Sequence, residues 1–254
     1  MCYAPNPPLA PNEIAANFGR IDLRVVYFDC RSSWVIPGEG PPGWYVIPAS
    51  AEDSDSFANE WLGEAGLEFE QYDYEGNREF SVYRFETAGT GLPEPASQVR
   101  LARHGARFEE EAKQPARFSP PLDLDGPATF LGHKLNTDTI VPGDTLVVET
   151  SWRANQIVTE TMPSVFVHLV DASGNAWSIG DALDFSAIQW QEGDVFVQRH
   201  VLELAPDIPA GTYWIAGGLY DLVTGIRYPI HVAETDADTF LLGPVIADVL
   251  PITK

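Results

Sequence analysis

At 254 residues the chain is long enough to bury a sizeable core, and its length favours one or two domains. Its 37 acidic against 15 basic residues give a net charge of -22, a field that repels phosphate backbones and anionic headgroups and so argues against nucleic acid and against direct binding to an anionic membrane surface. No stretch approaches the about 20 consecutive apolar residues of a membrane-spanning helix, and the N-terminus lacks a charged-then-apolar export pattern, so the chain as given reads as water-soluble.

The first ~90 residues mix helix and strand. Pro11-Asn12-Glu13 supplies a cap and an acidic first turn for a short helix that Gly19 stops. Three compact apolar runs bounded by Pro or Gly predict short strands at Leu23 to Phe28, Trp34-Val35-Ile36 and Trp44 to Ile47. Cys30 follows the first of them. A buried free thiol is the commoner state for such a residue, and a bridge to Cys2 is the alternative for an exported chain. Ser54 then caps a helix in which Phe57, Trp61 and Leu62 share one stripe, and Leu67 to Tyr74, the turn Glu75-Gly76-Asn77 and Phe80 to Phe85 read as a hairpin. These elements amount to a small α+β domain over residues 1–90. The Pro-, Gly- and Glu-rich stretch that follows cannot build a core of its own, so 91–115 is read as a linker, with Gln98 to Arg103 able to add an edge strand.

After Pro115 alternation dominates. Leu146, Val148 and Trp152 fall on one side of a strand whose other side carries Val147, Glu149, Ser151 and Arg153, and similar runs recur at 129–135, 165–171, 194–204, 211–221 and 239–249. With turns at Pro142-Gly143-Asp144, Asp171 to Asn175 and Thr224-Gly225, residues 116–254 predict an antiparallel β-sandwich of immunoglobulin or fibronectin type, and the chain as a whole is mainly β. The segment Leu204 to Tyr213 fits a tyrosine corner, in which the Tyr213 hydroxyl satisfies a backbone group.

Three groups of residues invite a functional reading. His168 with Asp181 has the composition of a general base oriented by a carboxylate, although no nucleophile accompanies it, and a core histidine satisfied by Asp181 or backbone is the plainer account. Trp177 and Trp190 lie in turn-rich segments where an exposed ring could stack on a sugar, whereas Trp152 belongs to the core face. Carboxylates at Asp123/Asp125, at Asp171 with Asn175, and at Glu234, Asp236 and Asp238 offer oxygen ligands to calcium, but none has the spacing of a twelve-residue calcium loop, so they are read as solvated turns. No zinc spacing, phosphate-cradling glycine loop or serine elbow is present, and neither cofactor nor metal is expected.

The ordered set Gly132, Pro142-Gly143-Asp144, Trp152, Phe166-Val167-His168-Leu169, Asp171, Gly174, Asp181, Trp190, Gly193, Pro206, Gly211-Thr212-Tyr213, Gly218-Leu219-Tyr220-Asp221 and Thr224 to Arg227 resembles a C-terminal soluble module of polytopic bacterial membrane glycosyltransferases. Those enzymes are similar to protein mannosyltransferases and aminoarabinose transferases, as found in Chloroflexi. The segments Arg31 to Pro37 and Trp44 to Pro48 more loosely resemble the region between the last membrane helix and that module. The resemblance implies a catalytic membrane portion upstream, a polyprenyl-phosphate sugar donor, and a location on the outer face of the cytoplasmic membrane. On that footing the chain is a non-catalytic accessory region whose partner is a glycan or glycosyl acceptor, with Trp177, Trp190, His168 and Asp181 as the candidate ligand-binding residues and no catalytic residue of its own. A free-standing secreted carbohydrate-binding or adhesion module, and a glycoside hydrolase using an acidic pair around Asp181, are the competing expectations.

Overall fold

A computed structural model of the chain describes residues 24–38, 43–49, 57–62, 65–85, 98–103, 105–108, 118–124, 126–158, 160–232 and 235–248. The first half contributes β1 (Ser33–Ile36), β2 (Gly43–Pro48), helix α1 (Phe57–Leu62), β3 (Gly66–Tyr72), β4 (Arg78–Phe85) and β5 (Arg100–Ala102). The second half opens with β6 (Leu122–Leu124), β7 (Ala128–Leu135), β8 (Thr139–Ile140), β9 (Thr145–Ala154) and β10 (Pro163–Val170). It continues with β11 (Ala176–Ile179), β12 (Val195–Glu203), β13 (Gly211–Asp221), β14 (Ile230–Val232), β15 (Thr235–Ala237) and β16 (Thr239–Ala247). The fold is mainly β. The helix expected after Asn12, its cap and the Ser54 cap of α1 lie outside the described residues.

Two sheets form the sandwich. One runs β1-β12-β9-β7-β6-β14-β15 and the other β11-β10-β13-β16-β5, and β8 lies parallel to β16 while the remaining pairs are antiparallel. Alternation sets which side chains meet between them. From the first sheet Phe130, Leu146, Val148, Trp152 and Phe196 point inward, and from the second Val165, Val167, Leu169, Ile215, Leu219 and Phe240 do so, all at most 1% exposed. Phe130 and Phe240 stack across the gap with centroids 4.2 Å apart, and Trp152 stands 6.0 Å from the Phe240 ring. The tyrosine corner is present: the Tyr213 hydroxyl donates to the Pro209 carbonyl at 2.8 Å.

A third sheet, ordered β2-β4-β3, lies over the outer face of the first. Trp34 of β1 sits opposite Val197 of β12 and points away from the sandwich interior, where it stacks on Tyr45 of β2 at 4.7 Å and on Trp61 of α1 at 6.4 Å. The Tyr45 hydroxyl donates to the Val35 carbonyl at 2.8 Å, and burial, with the Asp194 charge as a lesser cause, raises its pKa well above the ordinary tyrosine value. The β3–β4 hairpin closes through Asp73, whose Oδ1 accepts the backbone N–H groups of Glu75 and Asn77, each at 2.8 Å. Gly76 takes the positive φ of 87° that this turn requires.

Two expectations need correction. The run ending at Phe28 makes only an isolated bridge at Phe28 over its described residues, with Asp29 N–H donating to the Asp184 carbonyl at 3.1 Å, and a side chain serves the backbone just before it. Tyr27 N–H donates to Gln189 Oε1 at 2.8 Å and Gln189 Nε2 donates back to the Tyr27 carbonyl at 3.0 Å, so at Tyr27 one side-chain amide does what a ladder partner would do. Cys30 is not a free thiol: it is wholly buried and disulfide-bonded, while Cys2 lies outside the described residues.

Candidate functional site

Tyr45 and α1 cover part of the outer face of the first sheet around Trp34, and among the described residues the outer face of the second sheet carries the candidate site. Its residues are the other half of the same alternation. One end is closed by a small apolar cluster in which Phe108 packs with Ala102, Val170, Trp214, Ala216 and Leu241. The other end opens into a pocket of about 510 Å³ lined by Phe166 and His168 of β10, Asp181, Tyr220 of β13, Arg227 and Asp238.

Glycines make the floor. Phe166 lies opposite Gly218 in the β10–β13 register, and a Cβ on Gly218 would stand 2.7 Å from the Phe166 ring and 3.0 Å from the Asp238 carbonyl. The adjacent Gly217 does the same for Phe240 on the inner side, where an added Cβ would meet that ring at 2.5 Å. The Gly217-Gly218 pair therefore lets one large ring lie flat on each face of the same strand. On the outer ring rests the Arg227 guanidinium, its Cζ 3.9 Å from the Phe166 centroid.

A hydrogen-bonded array surrounds that cation. Arg227 Nη1 donates to Thr239 Oγ1 at 2.7 Å and stands 3.9 Å from Asp238 Oδ1, and the Thr239 hydroxyl donates to the same Asp238 oxygen at 2.7 Å. Burial lowers the Arg227 pKa despite the opposing pull of Asp238 and Asp181. Opposite, Asp181 Oδ1 lies 2.8 Å from His168 Nε2 and accepts the Val167 N–H at 3.2 Å. Burial first, then the Asp181 charge, push the Tyr220 pKa above the ordinary value. Arg227 is brought in by the turn after β13. The Asp221 carboxylate accepts the N–H groups of Thr224 at 2.8 Å, Val223 at 3.1 Å and Met162 at 2.8 Å, and the backbones of Tyr220 and Arg227 pair in an isolated antiparallel β-bridge.

Of the four residues singled out from the sequence, His168 and Asp181 meet in this pocket and the two tryptophans do not. Trp190 is a core residue, 1% exposed, because the 3-10 turn at Ala187–Gln189 folds its ring inward onto Phe196 at 4.8 Å while its indole N–H donates to the Phe185 carbonyl at 3.1 Å. Trp177 is half-buried, edge-on to Tyr213, with its N–H donated to Asp171 Oδ2 at 3.1 Å. Asp171 is a turn residue: its Oδ1 accepts Ser173 N–H at 2.8 Å and Asn175 N–H at 3.0 Å. Burial would raise the Asp171 pKa, but the Asn175 amide, the indole and these backbone donors together hold it below the usual carboxylate range. Among the described residues no group of three or more His, Cys, Asp or Glu is arranged to hold a metal ion. Of the other carboxylate clusters weighed from the sequence, Asp125 and Glu234 lie outside the described residues. Arg227 was not singled out as a site residue, and Asp238 was weighed only in an acidic cluster with Glu234 and Asp236, because Arg227 follows the turn after β13 and Asp238 lies in the bend between β15 and β16, 11 positions apart in sequence and over 50 from His168. The adjacent glycines in β13 were the available signal, since two in a central strand mark a place where bulky groups approach the backbone.

No family model matches the chain and no curated protein matches it. Among solved structures it is similar to the crystal structure of the C-terminal domain of wzt, at 11% sequence identity and a TM-score of 0.36, over 54% of this chain and 80% of that one.

Proposed function

We propose that the chain is an extracytoplasmic, glycan-recognising accessory region of a polyprenyl-phosphate-sugar-dependent membrane glycosyltransferase, presenting its ligand site on the outer face of the second sheet. The observation that carries the recognition part is the open pocket in which a guanidinium, two carboxylates, an imidazole and a phenol converge over an aromatic floor. Adjacent sugar hydroxyls each donate and accept, and such a ring of paired donors and acceptors answers both needs. The groups are already held by one another, so little order remains to be imposed on binding. The Cys30 disulfide supports an oxidising compartment. The membrane-tethered role rests on the family resemblance carried by the residues from Gly132 to Arg227.

Binding of the whole chain to an array of bacterial glycans tests the reading. Specific binding that Arg227→Ala abolishes, with the fold intact by circular dichroism, is the expected result. A chain that binds no glycan on the array, or an Arg227→Ala variant that binds as well as the parent, contradicts it.

A second reading, hydrolysis by a carboxylate pair, is favoured by the presence of Asp181 and Asp238 in one pocket. It requires turnover of glycosides by the purified chain that Asp181→Asn removes. Both carboxylates are engaged as acceptors, by His168 and Val167 for Asp181 and by Thr239 for Asp238, which suits fixed binding groups better than a proton donor.

A further inference from the structure

We infer that the apolar tip formed by Met162 and the turn after β13 dips into the hydrocarbon edge of an electrically neutral phospholipid bilayer, an inference that rests on the membrane placement in the proposed function and on none of the pocket's chemistry. Pro163 of β10 lies opposite Asp221 of β13, and Arg153 of β9 opposite Val195 of β12. The connections after β9 and β13 and the one leading into β12 therefore share one end of the sandwich. Large aliphatic side chains stand out there. Met162, Leu222, Val223 and Ile226 are each more than half exposed, and Ile157 and Ile188 are so on the neighbouring connections. Single exposed aliphatic residues are ordinary, but a group of them on one tip marks a contact with something apolar.

The backbone of the tip indicates what that contact is. Every N–H from Asp221 to Ile226 finds its acceptor inside the tip. Asp221 N–H donates to the Ile226 carbonyl at 2.9 Å, Leu222 to the Met162 carbonyl and Gly225 to the Asp221 carbonyl, both at 2.8 Å, and Ile226 to Thr224 Oγ1 at 3.3 Å. Val223 and Thr224 donate to the Asp221 carboxylate, which also takes the Thr224 hydroxyl at 2.9 Å and the Met162 N–H at 2.8 Å. An unmet N–H is what makes a loop costly in hydrocarbon, and none of these six is unmet. A protein partner is read through about one hydrogen bond per 100–200 Å² of interface, and a tip whose N–H groups all turn inward has none of them to give. A medium that forms no hydrogen bonds asks for none. The net charge of -22 opposes anionic headgroups, which leaves neutral ones. Gly225 and Ile226 also line the pocket, so insertion of the tip would hold the pocket at headgroup level, where a lipid-linked sugar is presented.

The test is flotation of the intact chain with phosphatidylcholine vesicles and, separately, with phosphatidylglycerol vesicles. A single acyl chain partitions with a constant of about 10⁴ M⁻¹ and this tip is no larger, so lipid is titrated to about 5 mM. The expected result is flotation with phosphatidylcholine that persists in about 0.5 M salt, where charge effects are screened, and weaker flotation with phosphatidylglycerol at low salt. Val223→Asp should weaken flotation with phosphatidylcholine at least ten-fold, and so should Val223→Lys, because a charge of either sign opposes entry into hydrocarbon. Val223 is 74% exposed and its backbone N–H is kept in both variants, so circular dichroism should show the parent fold. No flotation with phosphatidylcholine, variants that float as the parent does, or preference for phosphatidylglycerol overturns the inference. Self-association through the tip without flotation overturns it too, in favour of a protein contact. The glycan array separates this from the recognition reading: a chain that binds glycan but does not float sinks the tip inference alone, and one that floats but binds no glycan sinks recognition alone.

Discussion

His200 holds an imidazole away from all water: its Nδ1 lies 2.7 Å from the Gly180 carbonyl, and its Nε2 lies 3.0 Å from the Thr150 hydroxyl, which also accepts the Trp152 indole N–H at 2.8 Å. Burial outweighs the bond to Gly180 and pushes its pKa down to about 4, and burial does the same to His133, also to about 4. An unfolded histidine takes up its proton near pH 6.5, before the folded one does. Each residue's contribution is therefore complete above about 6.5 and is lost as pH falls from there through about 4, amounting to about 3 kcal/mol at most. Melting temperature should fall steeply across that window, before protonation of the carboxylates held low at Asp73, Asp171 and Asp221 adds its own loss. In His200→Gln the slope between pH 6.5 and 4 should be shallower, whatever the variant's stability at pH 7, and an unchanged slope would refute this account. Gly218 carries a second prediction at this scale. Gly218→Ala places a methyl 2.7 Å from the Phe166 ring, so it should cost about 1–3 kcal/mol by overpacking and weaken any pocket ligand. Gly66→Ala, where nothing lies within 4 Å, is the control and should change denaturant midpoint little.

Helix α1 has only six residues and could not persist alone, so its place is set by what it touches. Arg199 on the outer face of β12 does most of that. Its guanidinium lies 4.4 Å from the Phe57 centroid, Nη2 donates to Glu60 Oε1 at 2.6 Å and to Glu149 Oε1 at 2.9 Å, and Lys134 Nζ reaches both carboxylates at 3.5 and 3.6 Å. Glu149 is nearly buried, with 7% of its side chain exposed, so Arg199→Ala leaves its charge to the longer and more exposed contact with Lys134 and should destabilise by about 3 kcal/mol in chemical denaturation. Adding Glu149→Leu should recover part of that loss, whereas additive losses would show that the pair is uncoupled. Elements of this kind divide by how local their cause is. The long strands β7, β9, β10, β12, β13 and β16 were legible from alternation, and α1 and the β3–β4 hairpin from their stripe and turn, because pattern and cause lie within one segment. The short β6, β8, β11, β14 and β15 were not, since two to four residues carry no period and owe their pairing to neighbours distant in the chain. The site divides the same way. His168 and Asp181 are 13 positions apart across one hairpin and were found together, but Arg227 and Asp238 arrive from a separate turn and a bend between two later strands. Trp190 looked presented because its flanks are turn-like, and only the packing of Phe185 and Phe196 shows why the turn carries the ring inward.

At the scale of the whole molecule the two halves of the chain are woven rather than strung together. β1 hydrogen-bonds to β12 along four register pairs and forms one edge of the first sheet, and β5 lies against β16 at an edge of the second. Through Trp34 the first of these edges also seats the third sheet, so Tyr45, Phe57 and Trp61 bury against a strand that belongs to the sandwich. A fragment beginning at Ala116 would keep most of the inner core but would bare the backbone of β12 and β16 and lose the fully buried Trp34, Val35 and Val99. Two unprotected edges invite pairing between copies. Burial of these side chains contributes about 2 kcal/mol each, and 1 kcal/mol corresponds to about 2–4 °C at this chain length. The fragment should therefore melt at least about 10 °C below the whole chain and associate as its concentration rises, readable by differential scanning fluorimetry and light scattering. A monomeric fragment as stable as the whole chain would show that residues after Pro115 fold as an independent unit and that β1 and β5 merely decorate it.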